Sequence, residues 1–336
     1  MDNVARMNEI LKSLHIRANC INYKNTDNYA FYDLVLERGA KVKDVHKYCD
    51  EISMSLKAPG RPTIKVLYDE GIVRLEFVTR RTSTLNLFEY FAVDDEVPDG
   101  DVICLLGQDI FGKRVWMDLA KNPHMIIAGT TGSGKSTLMH NLIANIMNYN
   151  NVFTFLIDPK GIEFYEYEKY NFKNVQVGYT YKDTINTLDT LLKVMEFRYE
   201  LLKKGIPSSH IPYVVLMIDE FADIILQDAD NKFYTKLCRL AQKCRAAKIS
   251  IVLSTQRPSA NIIDGTIKSN FPVRIACQVA SHVDSKIILD TIGAEHLYGM
   301  GDALLKDHLR FLERFQIAYT DAAEVCNFFG RLNGRN

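Results

Sequence analysis

The sequence predicts an α/β fold, a mostly parallel central sheet covered by helices, joined to a smaller N-terminal α+β unit. Three observations lead there. From Ile103 onward, short apolar runs alternate with longer helical patterns, as parallel βαβ units with right-handed crossovers require. The segment GTTGSGKS at 129–136 follows an apolar run and opens an amphipathic one. At 336 residues, the chain exceeds the length at which one core usually stops growing, so two units are expected.

The elements follow in order. Residues 30–36 (AFYDLVL) predict a strand, and 40–56 predict an amphipathic helix with Val42, Val45, Tyr48, Ile52 and Leu56 on one side. Strands at 62–67 and 72–78 flank the turn Asp69-Glu70-Gly71. These make the small unit, residues 1–91. The acidic, turn-rich AVDDEVPDG at 92–100 marks a linker running to 102, and 103–336 form the larger domain. Its expected strands are 125–129, 152–157, 213–218, 249–254, 273–279 and 315–319, with helices at 135–148, 183–204, 230–247 and 284–290. A phosphate loop after an early strand of such a sheet is the P-loop NTPase architecture.

Composition narrows the class. The 41 basic and 41 acidic residues cancel, so nucleic acid would have to meet a local patch rather than a bulk charge. No apolar run is long enough to span a membrane, and the N-terminus lacks a secretory pattern. Seven cysteines without a C-x-x-C pair read as reduced thiols of a cytoplasmic protein. His46, His124, His140, His210, His282, His296 and His308 show no metal-ligand spacing.

The chemistry concentrates at a few strand ends. Backbone amides of Gly129, Thr130, Thr131, Gly132, Ser133 and Gly134 are expected to approach phosphate oxygens, aided by the positive end of the following helix. Lys135 would reach the β- and γ-phosphates, Ser136 would hold Mg²⁺, and Thr137 continues the loop's contact with ATP. The apolar run YVVLMI ends in Asp219, a second Mg²⁺ ligand, and Glu220, the residue to orient or deprotonate the attacking water. Gln256 ends another buried strand and reads as a sensor of the γ-phosphate or as a loop-capping amide. Helix 230–247 carries Lys232, Lys236, Arg239 and Lys243 opposite its apolar face, either a solvated stripe or an interface to a subunit or DNA. Arg245, off that stripe, is a candidate to reach a neighbouring subunit's γ-phosphate.

Assembled in order, the segments LGQDIFGK, DLAKNPH, AGTTGSGKS, DPKG, VLMIDEFAD, RLAQKCRAA, STQRPS, IKSNFPVRIA, DSKIILD and GAEHLYGMGDAL resemble the motor of the FtsK/SpoIIIE family of DNA translocases. The resemblance implies a RecA-like core that assembles as a homo-oligomeric ring, a hexamer by the family pattern, around double-stranded DNA without sequence preference. It carries over Lys135, Ser136, Asp219, Glu220 and Gln256 to the nucleotide site and offers Arg245 and Arg274 for the inter-subunit arginine. Asp158 and Lys160 also match a family motif, and a strand-end turn explains them as well. The family's membrane helices and winged-helix module have no counterpart here, which suggests a stand-alone cytoplasmic motor serving replication or transfer of a mobile element. A protein-secretion or conjugative coupling ATPase is the alternative expectation.

Overall fold

The computed structural model describes residues 2–79, 85–91, 97–306 and 312–332. The first unit comprises α1 (Asn3–Ser13), β1 (Ala18–Asn25), β2 (Tyr29–Leu36), α2 (Val42–Lys47), α3 (Cys49–Leu56), β3 (Thr63–Leu67) and β4 (Ile72–Val78). Asp2 caps α1 by accepting from the Val4 amide. The strands form an antiparallel sheet in the order β1-β2-β4-β3, backed by Met7, Leu11, Val45 and Ile52 from the helices. The single helix expected over 40–56 is two, broken at Tyr48, whose φ of −104° and ψ of 18° leave the helical region. Val45 and Ile52 are fully buried on either side of the break, so the apolar face survives it.

The second unit adds α4 (Leu87–Phe91), β5 (Ile103–Asp109), β6 (Arg114–Asp118), β7 (His124–Ala128), α5 (Lys135–Met147), β8 (Val152–Ile157), α6 (Tyr165–Tyr170), β9 (Val175–Gly178) and α7 (Tyr181–Lys203). It continues with β10 (Tyr213–Ile218), α8 (Phe221–Gln227), α9 (Lys232–Lys243), β11 (Ile249–Thr255), α10 (Gly265–Asn270), β12 (Val273–Cys277), α11 (His282–Leu289), β13 (Asp302–Lys306), β14 (Glu313–Ile317) and α12 (Ala322–Leu332). Its ten strands lie in the order β6-β5-β14-β13-β12-β7-β11-β10-β8-β9. From β12 to β9 every pairing is parallel, and from β12 to β6 every pairing is antiparallel.

Side chains alternate across this sheet as the strand period demands. Met125 and Ile127 of β7 join the core under α5, α6 and α12, while Ile126 and Ala128 join the core under α7, α8, α9 and α11. Strands β5, β6, β9 and β13 were not expected, and their lengths of four to seven residues carry little periodic signal. Near the C-terminus, α12 buries Val325, Cys326 and Phe329 and stacks Phe328 on Phe88 of α4 at 4.4 Å. Leu87 of α4 belongs to the same core. His308 lies outside the described residues, as do parts of the expected linker and the last four residues.

A buried polar cluster joins the two sheets. Arg314 on β14 and Asp302 on β13 make a two-pronged ion pair at 2.9 and 2.7 Å, each side chain about 1% exposed. The Tyr29 hydroxyl on β2 donates to Asp302 at 2.9 Å, and Arg314 donates to the Glu76 carbonyl on β4 at 2.7 Å. Every member is satisfied, the condition under which a buried polar network specifies a unique packing.

Candidate active site

The phosphate loop bridges the ends of three strands. Leaving β7, the Gly129 amide donates to the Thr255 carbonyl at the end of β11, and the Thr130 amide and hydroxyl donate to the Gln278 carbonyl just past β12. The Gly132 and Ser133 carbonyls accept from the amides of Met300 and Gly301 at 3.3 and 2.9 Å. Gly134 turns the chain into α5 with φ at +107°, and a Cβ there would stand 2.6 Å from Gly301. Only glycine fits that corner. Beside the loop opens a cavity of about 610 Å³ lined by Gly132, Lys135, Ser136, Thr137, Glu163 and Gln256, with Leu85, Ile317 and Tyr319 on its apolar side. A helix N-terminus, a buried lysine and convergent hydroxyls suit a polyphosphate with a flat apolar appendage.

Strand ends deliver the remaining polar groups. Lys135 is buried and donates to Asp219 at 2.5 Å and to Ser254 at 3.1 Å, and the Ser254 hydroxyl also donates to Asp219. Glu220, 1% exposed, adopts a left-handed backbone with φ at +43°, a conformation that costs a non-glycine residue roughly 1 kcal/mol. Such strain gathers at functional sites. Its carboxylate accepts from the Thr255 hydroxyl at 2.7 Å and the Gln256 amide at 3.1 Å, and faces Lys160 at 3.4 Å. The Gln256 side-chain oxygen accepts from the Thr131 hydroxyl at 3.0 Å, which draws the end of β11 against the phosphate loop. The sequence-predicted cluster of Lys135, Ser136, Asp219, Glu220 and Gln256 is thus assembled at one end of the parallel strands.

A sequence profile of the FtsK/SpoIIIE family matches residues 94–208 and 203–260, the stretch that contains this cluster. The chain belongs to the FtsK/SpoIIIE family. The DNA translocase SftA of Bacillus subtilis is 32% identical over 317 residues, covering 89% of this chain and 33% of the relative. The DNA translocase FtsK of Borreliella burgdorferi is 33% identical over 339 residues, covering 95% and 43%. The chain therefore spans less than half the length of these two relatives. Among solved structures, the monomer form of the pCW3 conjugation coupling protein TcpA with ATPγS aligns at a TM-score of 0.70 and 22% identity, over 98% of this chain and 99% of that one. The cytoplasmic domain of the Type VII secretion ATPase EccC of Thermomonospora curvata aligns at 0.60 and 21% identity, over 71% and 32%. These likenesses establish the RecA-like P-loop ATPase fold.

Within this FtsK/SpoIIIE member, both arginines singled out from sequence lie away from the cluster, and they differ. Arg245 is exposed just before β11, at the end of that strand opposite Gln256. Seven extended residues separate the two ends by about 20 Å, beyond the reach of an arginine side chain. Arg274, 12% exposed, donates to the Ile288 carbonyl at 3.1 Å and to Asp290 at 2.6 Å. The basic stripe of α9 is largely paired: Lys236 with Asp189 and Arg239 with Glu196, both on α7, and Lys232 with Asp230. Lys268 is bound to Asp290 at 2.8 Å.

Glu163, beside the site, escaped the sequence reading, although the neighbouring Asp158 and Lys160 did not. Asp158 is fully buried and accepts from the amides of Lys160, Gly161, Glu163 and Phe164, so the turn explanation describes it well. That turn aims Lys160 at Glu220 and Glu163 at Ser136. The His140 ring lies 3.3 Å from Glu163, and its hydrogen bond, helped by the Ser136 hydroxyl, holds the Glu163 carboxyl down at about 2 against the opposing effect of burial. Oxygen donors from Ser136 and Asp219 suit Mg²⁺, a hard ion that keeps waters and takes phosphate oxygens. Among the described residues, no group of three or more His, Cys, Asp or Glu side chains could hold a metal by itself. No described helix is long and apolar enough to cross a membrane.

Proposed function

We propose that this chain is an ATP-hydrolysing DNA translocase motor that works as a homo-oligomeric ring in the cytoplasm, serving replication or transfer of a mobile element. The observation that carries the reading is that Lys135 and Gln256 line one cavity, with Asp219 bonded to Lys135 and Glu220 to the Gln256 amide, while Arg245 lies before the opposite end of the strand that Gln256 follows. The loop and Lys135 would bind the triphosphate. Ser136 and Asp219 would hold Mg²⁺, which supplies charge neutralisation at the transferring phosphoryl group. Glu220 would orient or deprotonate the attacking water, and Gln256 would sense its product through the bond to Thr131. Arg245, too far to reach its own site, suits action on a neighbour's γ-phosphate, a role Arg274 meets less well because Asp290 already holds it. The four-stranded unit would be the small motor subdomain. The relatives named as DNA translocases support duplex DNA as the moving substrate.

ATP turnover measured with and without double- and single-stranded DNA over a salt series tests this. DNA stimulation that falls steeply with salt is expected, as is retained ATP binding with turnover lowered roughly 10²-fold or more in Glu220→Gln. In mixed assemblies, Arg245→Ala subunits should slow their wild-type neighbours. Absence of stimulation by either DNA form, alongside binding of a protein substrate, would instead favour a secretion or coupling ATPase. The carboxylate pairing of Lys232, Lys236, Arg239 and Lys268 is the observation on that side.

A further inference from the structure

Glu163 occupies a position that neither motif spacing nor the strand ends explain. It lines the cavity beside Ser136, yet it comes from the turn after β8 rather than from the phosphate loop or from β10. Its backbone is fixed, because its amide is one of four that converge on the buried Asp158, at 2.7 Å. Its side chain is fixed from the other side by α5, where Ser136 and His140 stand one helical turn apart on the same face. His140 Nε2 is 3.3 Å from the Glu163 carboxylate, and His140 Nδ1 is 3.0 Å from the hydroxyl of the buried Tyr167. With the Tyr167 hydroxyl donating to Nδ1, the remaining ring nitrogen carries the proton that Glu163 accepts. The donors therefore run from Tyr167 through His140 and end on the Glu163 carboxylate, an acceptor that lines the cavity.

The chemistry of a hydroxyl ligand gives that chain its purpose. To place a lone pair toward a cation, Ser136 must send its proton elsewhere, and a carboxylate is the strongest acceptor for it. Asp219 is already engaged by Lys135 and Ser254. Glu163 is the carboxylate that lines the cavity together with Ser136. We propose that Glu163 is a positioning residue for the nucleotide's metal: it accepts the Ser136 O–H so that the oxygen faces the cavity, with His140 and Tyr167 holding it in place. This rests on the reading of the cavity as a site for ATP with Mg²⁺.

The test is the affinity of a fluorescent ATP analogue in excess EDTA and in Mg²⁺, together with Mn²⁺ binding to the ADP complex followed by electron paramagnetic resonance. Glu163→Ala should lower the metal-dependent gain in affinity and the Mn²⁺ affinity by about 10- to 100-fold, the usual effect of removing a residue behind a metal ligand. Affinity in EDTA should stay within about two-fold, because phosphate contacts are untouched. His140→Gln should move the same readout less, and it serves if the alanine variant folds poorly. In a Ser136→Ala background, Glu163→Ala should add nothing, since its action passes through that hydroxyl. An unchanged metal gain, an equal loss in EDTA and in Mg²⁺, or full additivity with Ser136→Ala would each overturn the proposal. A wild-type chain that binds no nucleotide under either condition would remove the ATP reading itself, an outcome visible before any variant is compared.

Discussion

Replacing Asp302 by Asn removes one charge from the buried cluster that joins the two sheets while keeping shape and volume. The Asp302 carboxylate accepts four donors: two from Arg314, the Tyr29 hydroxyl, and the Tyr298 amide at 2.9 Å. An amide has one oxygen and one NH₂ in place of two oxygens. If the NH₂ takes the Oδ2 position it meets Arg314 Nη2–H and the Tyr298 N–H, and if it takes Oδ1 it meets Arg314 Nε–H and Tyr29. Either orientation strands two buried donors, at about 1–3 kcal/mol each. Arg314, itself about 1% exposed, loses its counter-charge as well. The combined expectation is about 3–5 kcal/mol, the usual cost of breaking a buried pair from one side. Urea unfolding, followed by far-ultraviolet circular dichroism and by the single tryptophan, Trp116 on β6, measures it. The apolar double replacement Asp302→Leu with Arg314→Met should recover part of the loss, because neither member of the ion pair is then left buried alone, although the Tyr29 hydroxyl and the Tyr298 amide still lose their acceptor. A cost below about 1 kcal/mol for Asp302→Asn, or a double variant weaker than the single one, would refute the reasoning.

Two more expectations follow from the same geometry. Gly134→Ala should abolish nucleotide binding in a fluorescence titration while leaving the far-ultraviolet spectrum unchanged, since the added methyl would meet Gly301 at 2.6 Å in a left-handed turn. Asp290 ends α11 in the left-handed region and gathers Lys268, Arg274 and Lys306. Burial works to raise its carboxyl, but hydrogen bonds from Lys268, Lys306 and Arg274 outweigh it and hold it below the ordinary carboxylate range. A depressed folded value means its stabilisation is complete above the unfolded value of about 4 and disappears as pH falls toward the folded one. The melting-temperature gap between wild type and Asp290→Asn should therefore be level above about pH 5 and close as the solution is acidified below about pH 4. A gap that widens on acidification would contradict the assignment.

What was legible in the chain is what is local. The phosphate loop announces itself because its glycines, lysine and serine are contiguous, and YVVLMI followed by Asp219 and Glu220 is a buried strand with a polar end. Fully buried strands such as β10 and β11 are uninterrupted apolar runs. Strand β9 is only four residues long, and β6 (RVWMD) mixes charge with apolar residues, so neither offers a period to count. Helix α12 holds Gly330 among phenylalanines, and its apolar face is recognisable only once it meets α4 and α6. The roles of Glu163 and Lys160 were invisible for a different reason. Their partners Ser136 and Glu220 are 27 and 60 residues away, and only tertiary packing, with β8 beside β10 for the second pair, brings them together.

The contacts of Met300 and Gly301 with the phosphate loop carry a mechanical consequence. The cavity sits where the parallel half of the large sheet gives way to the antiparallel half. One wall is the loop that would grip phosphate. The other begins two residues before Asp302, the residue bolted through Arg314 and Tyr29 to the N-terminal sheet. The phosphate loop is therefore joined to the N-terminal sheet through the short run from Met300 to Asp302 and the hydrogen bonds of Asp302 and Arg314 to that sheet.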